Sequence, residues 1–309
     1  MTNLFKPFSK YMASHNPSNF LKSAFGNLYF LMFLNGFLIA SLFYFKMEAA
    51  YENGLFLSIK TSIDNKLDAN DTQDSILIKA MDACHTLMAD RGPAFQNGSP
   101  LGPQADFFHP ASVDLMTAGG ACGSYSEVLA RILQTYDYPI RIAQMKSNGI
   151  FAAHNIVEAK TVHGWVVLDP TFNAAFSRPD SRLASFEDVQ HNWAYYSKQV
   201  PRGYDLNYRY EDVRYSNWTK IPVIFPAIKG VLNILLGKKR ADTISVRTYF
   251  LKIYTIYFYI ALFLCIPILL LTIKKIVKTK LFPNQDIPLT FNNLIKYLKP
   301  RFPNRIQSL

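Results

Sequence analysis

Cysteine is scarce in this chain of 309 residues. Its three cysteines, Cys84, Cys122 and Cys265, are an odd number and too few for a disulfide framework. A small secreted scaffold held together by disulfides is therefore excluded. Cys265 lies in an uncharged apolar segment, but a Cys84–Cys122 bridge stays open in an oxidising compartment. Such a bridge would remove the free thiol at position 122.

Internal repeats, low-complexity segments and metal-ligand motifs are missing as well. His85, His109, His163 and His191 are not spaced with carboxylates or cysteines in the way zinc ligands are. The sequence therefore predicts no metal site and no cofactor.

Charge is absent from two long apolar segments. Residues 28–45 form an uncharged run that extends upstream to residue 23, and residues 253–273 form a second. Each is close to the roughly 20 residues that a helix needs to cross a bilayer. A cleaved signal peptide is the alternative for the first run, but its apolar part would be shorter, and 46–49 (KMEA) is a poor cleavage site. We expect transmembrane helices at 23–45 and 253–273.

The net charge of +11 is concentrated at the two ends of the chain. Residues 1–27 carry +3 and residues 274–309 carry +7, which leaves +1 for residues 28–273. Basic residues just outside both spans predict that both termini are cytoplasmic and that the middle is extracytoplasmic, periplasmic in a Gram-negative cell. Because orientation accounts for the charge and no base-reading motif accompanies it, we expect no nucleic-acid partner.

These features predict six segments. Residues 221–237 carry one charge and are broken by Pro222 and Pro226, which favours an interfacial or packed helix over a third crossing. For the last segment a basic amphipathic helix on the membrane surface and a solvated disordered tail are both open. The expected organisation is a basic cytoplasmic N-terminus 1–22, a span 23–45, an extracytoplasmic domain 46–220 with its core at 71–173, an interfacial helix and connector 221–252, a span 253–273 and a basic cytoplasmic tail 274–309.

Before the central cysteine, the pattern predicts one helix and one long loop. Residues 72–90 read as a helix with Asp71 as N-cap, and its apolar stripe is Ile76, Ala80, Ala83 and Leu87. The glycines and prolines of 92–113 are too many for a regular element and predict a loop of functional length.

After the cysteine, the pattern predicts an α+β arrangement. Residues 121–136 read as a helix, and 140–146, 150–159 and 165–168 read as strands. Ser147-Asn148-Gly149 is a strong hairpin turn signal. One helix followed by three sequential antiparallel strands places the domain in the α+β class.

Cys122 follows glycines at the predicted start of a helix. Unpaired N–H groups and the positive end of the helix dipole favour a thiolate there, and the thiolate is the nucleophilic form. The same N–H groups could stabilise an oxyanion. A lone cysteine beside glycines is more often a small buried residue, so this interpretation depends on its partners.

Two titratable residues follow Cys122 at suggestive spacings. If the last two strands pair through a turn at 161–164, residue 154 faces about residue 170, so His154 and Asp169 lie side by side. A carboxylate beside an imidazole fixes its tautomer and favours its protonated form, which in turn supports a thiolate.

The stretch GGACGSYSEVLARILQTYDYPIRIAQM, followed by HNIVEAK and GWVVLDPTF, resembles the transglutaminase-like superfamily over residues 119–173. The resemblance implies a papain-like fold and a Cys-His-Asp triad. Cys122 matches the nucleophile, His154 the base, and Asp169 the orienting carboxylate in the D-P-T signature.

Three further positions bear on the resemblance. Glu158 and Trp165 match structural positions of the strands. Ile156 stands where family members commonly have an aromatic residue, and this departure concerns substrate specificity.

The resemblance implies acyl transfer or amide hydrolysis on a peptide or protein substrate, through a thioester that water or an amine resolves. Membrane lipid is the second expected partner. A different class of function stays open, a non-catalytic scaffold that binds a peptide or glycan in a membrane assembly. The intact triad argues against that scaffold.

Overall fold

The computed structural model describes residues 24–95, 109–219 and 222–281. The described residues form two compact units, one made of 24–45 with 257–281 and the other of 46–256. Our expectations for segment 1–22, for most of the loop 92–113 and for most of the tail 274–309 lie outside the described residues.

The described chain combines helices with one antiparallel sheet, so the expected α+β class is confirmed. The helices are α1 (Leu28–Asp64), α2 (Gln73–Met88), α3 (Arg91–Phe95), α4 (Ala111–Thr117), α5 (Cys122–Leu133), α6 (Phe186–His191), α7 (Trp193–Tyr196), α8 (Ile224–Leu236), α9 (Lys238–Asp242), α10 (Val246–Phe250) and α11 (Ile253–Leu281), with 3-10 turns at Gln134–Tyr136 and Ser197–Gln199. The strands are β1 (Ile140–Ser147), β2 (Ile150–Thr161), β3 (Gly164–Asp169), β4 (Ala174–Ala175) and β5 (Asp212–Arg214).

Two helices, α1 and α11, are long and apolar enough to cross a membrane. In the smaller unit, Asn35 Nδ2 donates a hydrogen bond to Thr272 Oγ1 at 2.6 Å, and the rings of Phe45 and Tyr257 lie 5.4 Å apart. Hydrogen bonds of this kind join helices inside a bilayer, where no water competes for them. These features are compatible with the expected two-span membrane protein.

In the larger unit, the end of α1 is part of the folded domain. Residues 46–64, which precede the predicted domain core of 71–173, continue the helix and bury Phe56 and Ile63 in the core. Glu52 Oε1 lies 3.6 Å from Nε of the buried Arg131 of α5. A buried guanidinium requires such a counter-charge.

Helix α2 forms where the sequence predicts it, but with a different cap and a different buried face. Thr72, not Asp71, is the N-cap, and its hydroxyl accepts from the Ser75 N–H at 3.3 Å. Asp71 instead pairs with Lys79. The predicted apolar stripe is shifted by one residue from the face that is buried, and its last member, Leu87, is exposed. The residues that pack inward are Leu77, Ala80, Met81, Cys84 and Met88.

The sheet has the strand order β4-β3-β2-β1-β5, with antiparallel neighbours. Asn148 and Gly149 both have positive φ at the β1–β2 turn, as a tight hairpin of the predicted kind requires. Helices α2 and α5 pack on one face of the sheet, and aromatic side chains of 172–210 pack on the other. The sheet thereby separates two apolar cores.

Two parts of the loop-rich sequence are more regular than the pattern predicts. The ends of the expected loop 92–113 are helical, in α3 and at the start of α4. Segment 181–220, which has no readable period, supplies α6, α7 and the edge strand β5. Strand β5 has three residues, too few to show an alternating pattern.

Candidate active site

Cys122 is the first residue of α5, at the tight turn between α4 and α5. The left-handed φ values of this turn fall on Ala118 and Ala121, not on the glycines between them. Gly120 is needed for a steric reason, because a Cβ there would lie 2.7 Å from Ser124 Oγ. That hydroxyl accepts from the Gly120 N–H at 2.8 Å and donates to Asp114 at 2.5 Å, which ties the turn to α4.

His154 and Asp169 are in direct contact. His154 Nε2 lies 2.8 Å from Asp169 Oδ2, and both side chains are buried. The β2–β3 register pairs Val157 with Leu168, so the predicted pairing of position 154 is correct to within about one residue. Asp169 Oδ1 accepts from the Thr171 N–H at 3.2 Å, which fixes the carboxylate in the turn after β3.

The imidazole of His154 also interacts with the Cys122 thiol, since each of the two groups shifts the pKa of the other. Because Nε2 is bonded to Asp169, the other ring nitrogen is the one left for the sulfur. The structure thus brings all three predicted site residues together, in the order sulfur, imidazole, carboxylate.

The electrostatics of these three residues favour an ion pair between the Cys122 thiolate and the His154 imidazolium. Burial raises the pKa of Cys122, but the interaction with the His154 imidazole, with help from the hydrogen bond from Asn155, outweighs burial and lowers that pKa to about 7. Burial lowers the pKa of His154, but its hydrogen bond to Asp169 and its interaction with the Cys122 thiol outweigh burial and raise that pKa to about 9. Between these values the thiolate and the imidazolium coexist.

Aromatic rings enclose the imidazole. Tyr208 stacks on His154 with ring centroids 4.5 Å apart and an interplanar angle of 12°, and Phe172 lies 5.5 Å away. The rings of Tyr208 and Phe172 shield the imidazole from water and restrict its rotation. Ile156, at the position where the resemblance leads one to expect an aromatic residue, is fully buried in the core on that face of the sheet.

The cysteines that the sequence left open as a disulfide are both free thiols. Cys84 is fully buried in α2, and burial raises the pKa of its thiol. Cys122 is partly exposed at the start of α5. The two thiols therefore differ in the two properties that control reactivity, exposure and pKa.

Two residues that the sequence did not single out as site residues adjoin Cys122. Asn155 Nδ2 donates to Cys122 Sγ at 3.3 Å, and Arg247 Nη1 donates to Asn155 Oδ1 at 3.0 Å. The guanidinium is also 2.6 Å from Glu127 Oε1. The only local signal for Asn155 is its position next to His154, and Arg247 carries no local signal beyond its positive charge.

A cluster of His109, Asp114 and Glu127 lies beside this group. Their donor atoms are within 4.8 Å of one another, the spacing at which three side chains could share a cation. His109 Nδ1 is 3.5 Å from Asp114 Oδ2, and Arg247 pairs with Glu127. Because the chain supplies a positive partner for each carboxylate, charge balance here does not require a metal ion.

Two cavities of about 510 and 780 Å³ lie elsewhere in the larger unit. Arg141, between the rings of Trp165 and Tyr215, helps to line the first, and α1 and α2 line much of the second. Neither is lined by Cys122 or His154.

No protein-family model, no curated protein and no solved structure matches this chain. The function is therefore inferred from the geometry and chemistry of the site itself.

Proposed function

We propose that this chain is a membrane-anchored, transglutaminase-like cysteine enzyme with Cys122, His154 and Asp169 as its catalytic triad. The observation that carries the proposal is the imidazole held between a buried carboxylate and a thiol whose pKa is lowered to about 7. A base hydrogen-bonded to its orienting carboxylate and placed beside an activated thiol is the arrangement that thiol acyl transfer requires.

The chemistry follows from the roles of the three groups. The Cys122 thiolate attacks an amide carbonyl of a peptide or protein, and the carbonyl oxygen takes the negative charge. The His154 imidazolium gives its proton to the leaving amine, which departs and leaves a thioester on the sulfur. Water or a second amine then resolves the thioester, giving hydrolysis or cross-linking. Asp169 keeps the imidazole oriented and stabilises its positive charge.

The fold supports this assignment through the placement of the three groups. The nucleophile begins a helix that packs on an antiparallel sheet, the base lies on the second strand, and the carboxylate ends the third. A nucleophile helix packed on antiparallel strands is also the plan that the resemblance to the transglutaminase-like superfamily implies.

Alkylation by iodoacetamide across pH tests the proposal without knowledge of the substrate. We expect Cys122 of the folded chain to be alkylated with a midpoint near pH 7, since its thiolate forms there. Cys84 is the internal control and should stay unlabelled, because it is fully buried and its pKa is raised. Peptide mass spectrometry would locate and quantify the adducts. A Cys122 midpoint near pH 9, or equal labelling of both thiols, would refute an activated nucleophile.

For the membrane topology, we propose two spans with both termini in the cytoplasm and the triad outside. The basic ends, +3 for 1–27 and +7 for 274–309, support this orientation, and the larger unit carries the triad between the spans.

A membrane-impermeant maleimide tests this topology in cells that produce a Cys122→Ala chain. We expect a cysteine introduced at the exposed Asn148 to react in intact cells. A cysteine in place of Ser308 in the basic tail should react only after permeabilisation. Protection of the Asn148→Cys thiol until permeabilisation would contradict an extracytoplasmic triad.

A further inference from the structure

A side-chain amide lies against the reacting sulfur. Asn155 is 9% exposed, and its Nδ2 donates to Cys122 Sγ at 3.3 Å. A carboxamide next to a nucleophile can fill two roles that its position alone does not distinguish. It can stabilise the thiolate, or it can stabilise the oxyanion that forms when the thiolate attacks a carbonyl.

The orientation of this amide is set by Arg247. A guanidinium only donates hydrogen bonds, so the carbonyl Oδ1 of Asn155 must face Arg247, where it accepts from Nη1 at 3.0 Å. The NH₂ group must then face the sulfur. Nη2 of the same guanidinium donates to Glu127 Oε1 at 2.6 Å, so Arg247 is held between a carboxylate on one side and the Asn155 amide on the other.

The amide is within reach of a developing oxyanion. When Sγ bonds to a carbonyl carbon, the oxygen on that carbon lies about 3 Å from the sulfur, inside the range of a donor placed near Sγ. As first residue of α5, Cys122 has a backbone N–H without an acceptor inside the helix. A backbone donor and a side-chain donor next to one sulfur are the usual elements of an oxyanion hole.

We propose that Asn155 is a catalytic residue that donates a hydrogen bond to the oxyanion of the acyl-transfer intermediate, and that Arg247 is the positioning residue that aims it. The proposal rests on the proposed function of Cys122. Arg247 lies on α10, which ends three residues before the second candidate span, α11, begins. The segment that leads into that span therefore fixes the active-site amide.

Two reagents that attack the same sulfur by different routes separate the roles of Asn155. With iodoacetamide the thiolate displaces iodide from a saturated carbon, and no oxyanion forms. With p-nitrophenyl acetate the thiolate adds to the carbonyl carbon and an oxyanion forms. The oxyanion collapses to a thioester as p-nitrophenolate departs with the bonding electrons. A loss of the oxyanion donor should therefore slow only the second reaction.

In the full chain in detergent, we expect Asn155→Ala to slow acylation by p-nitrophenyl acetate about 100-fold, the typical cost of one lost oxyanion donor. Alkylation by iodoacetamide, compared at equal thiolate fraction from its own pH profile, should change less than about threefold. Arg247→Met should lower acylation selectively by about tenfold, and Arg247→Lys should restore part of it. Glu127→Gln is the control that keeps the Arg247–Asn155 contact, and it should cost less than Arg247→Met.

The outcomes separate this proposal from the proposed function. Equal slowing of both reactions in Asn155→Ala would overturn the oxyanion role and leave Asn155 acting on the thiol alone. If that variant does not fold, Arg247→Met and Arg247→Lys test the oxyanion role in its place. The quantity compared is again the rate of acylation by p-nitrophenyl acetate divided by the rate of alkylation by iodoacetamide. A wild-type Cys122 that is alkylated but never acylated would overturn the proposed function and this role with it.

Discussion

Cys122→Ala should abolish acylation of the chain by p-nitrophenyl acetate. The reacting sulfur is removed, and removal of a triad nucleophile costs roughly 10⁶-fold in comparable enzymes. The change deletes one small, partly exposed side chain, so the midpoint of thermal unfolding should move by only a few degrees. The release of p-nitrophenolate and the intact mass of the chain measure the acyl group directly.

Cys84→Ala is the matched control for this prediction. It removes a thiol from a fully buried position, which costs about 1 kcal/mol of stability but leaves the site untouched. Its acylation at position 122 should equal that of the wild type. Acylation that persists in Cys122→Ala would place the nucleophile elsewhere, and full cellular function of that variant would favour the non-catalytic scaffold.

Asp169→Asn should cost at least about 10³-fold in acylation, because a comparable triad loses about 10⁴-fold from the same change. The amide can still accept from the Thr171 N–H, as Asp169 Oδ1 does at 3.2 Å, so the turn after β3 is preserved. It can no longer stabilise the positive charge of His154. The pKa of His154 should therefore fall below about 9, and the pKa of Cys122 should rise above about 7.

The sign of this shift is the critical measurement. In the wild type the ion pair exists from about pH 7, where the thiolate forms, to about pH 9, where the imidazolium loses its proton. In Asp169→Asn the midpoint of iodoacetamide alkylation should move upward, towards the ordinary thiol value of 9.0. Asp82→Asn, at an exposed carboxylate that accepts from Asn173 at 3.1 Å, is the control and should leave the midpoint unchanged. An unshifted midpoint in Asp169→Asn would show that the carboxylate does not support the ion pair.

Much of the site could be predicted because its signals are local. The helix after Cys122 has a clear apolar stripe, and the hairpin at Asn148-Gly149 fixes the register of the strands. The turn at 161–164, which pairs the second strand with the third, places His154 beside Asp169. The weaker predictions failed where local signals compete. Asp71 and Thr72 are both good N-caps, and the isoleucines and leucines of α2 fit two neighbouring stripes.

The sequence by itself determined where the apolar segments lie, the α+β class, and the three residues that meet at the site. Only the tertiary structure decided what surrounds them. Asn155 faces the sulfur because Arg247, 92 residues away, holds its carbonyl, and Tyr208 covers His154 from a segment without a readable period. Contacts between residues so far apart depend on how the elements pack, and such packing leaves no periodic pattern in one sequence.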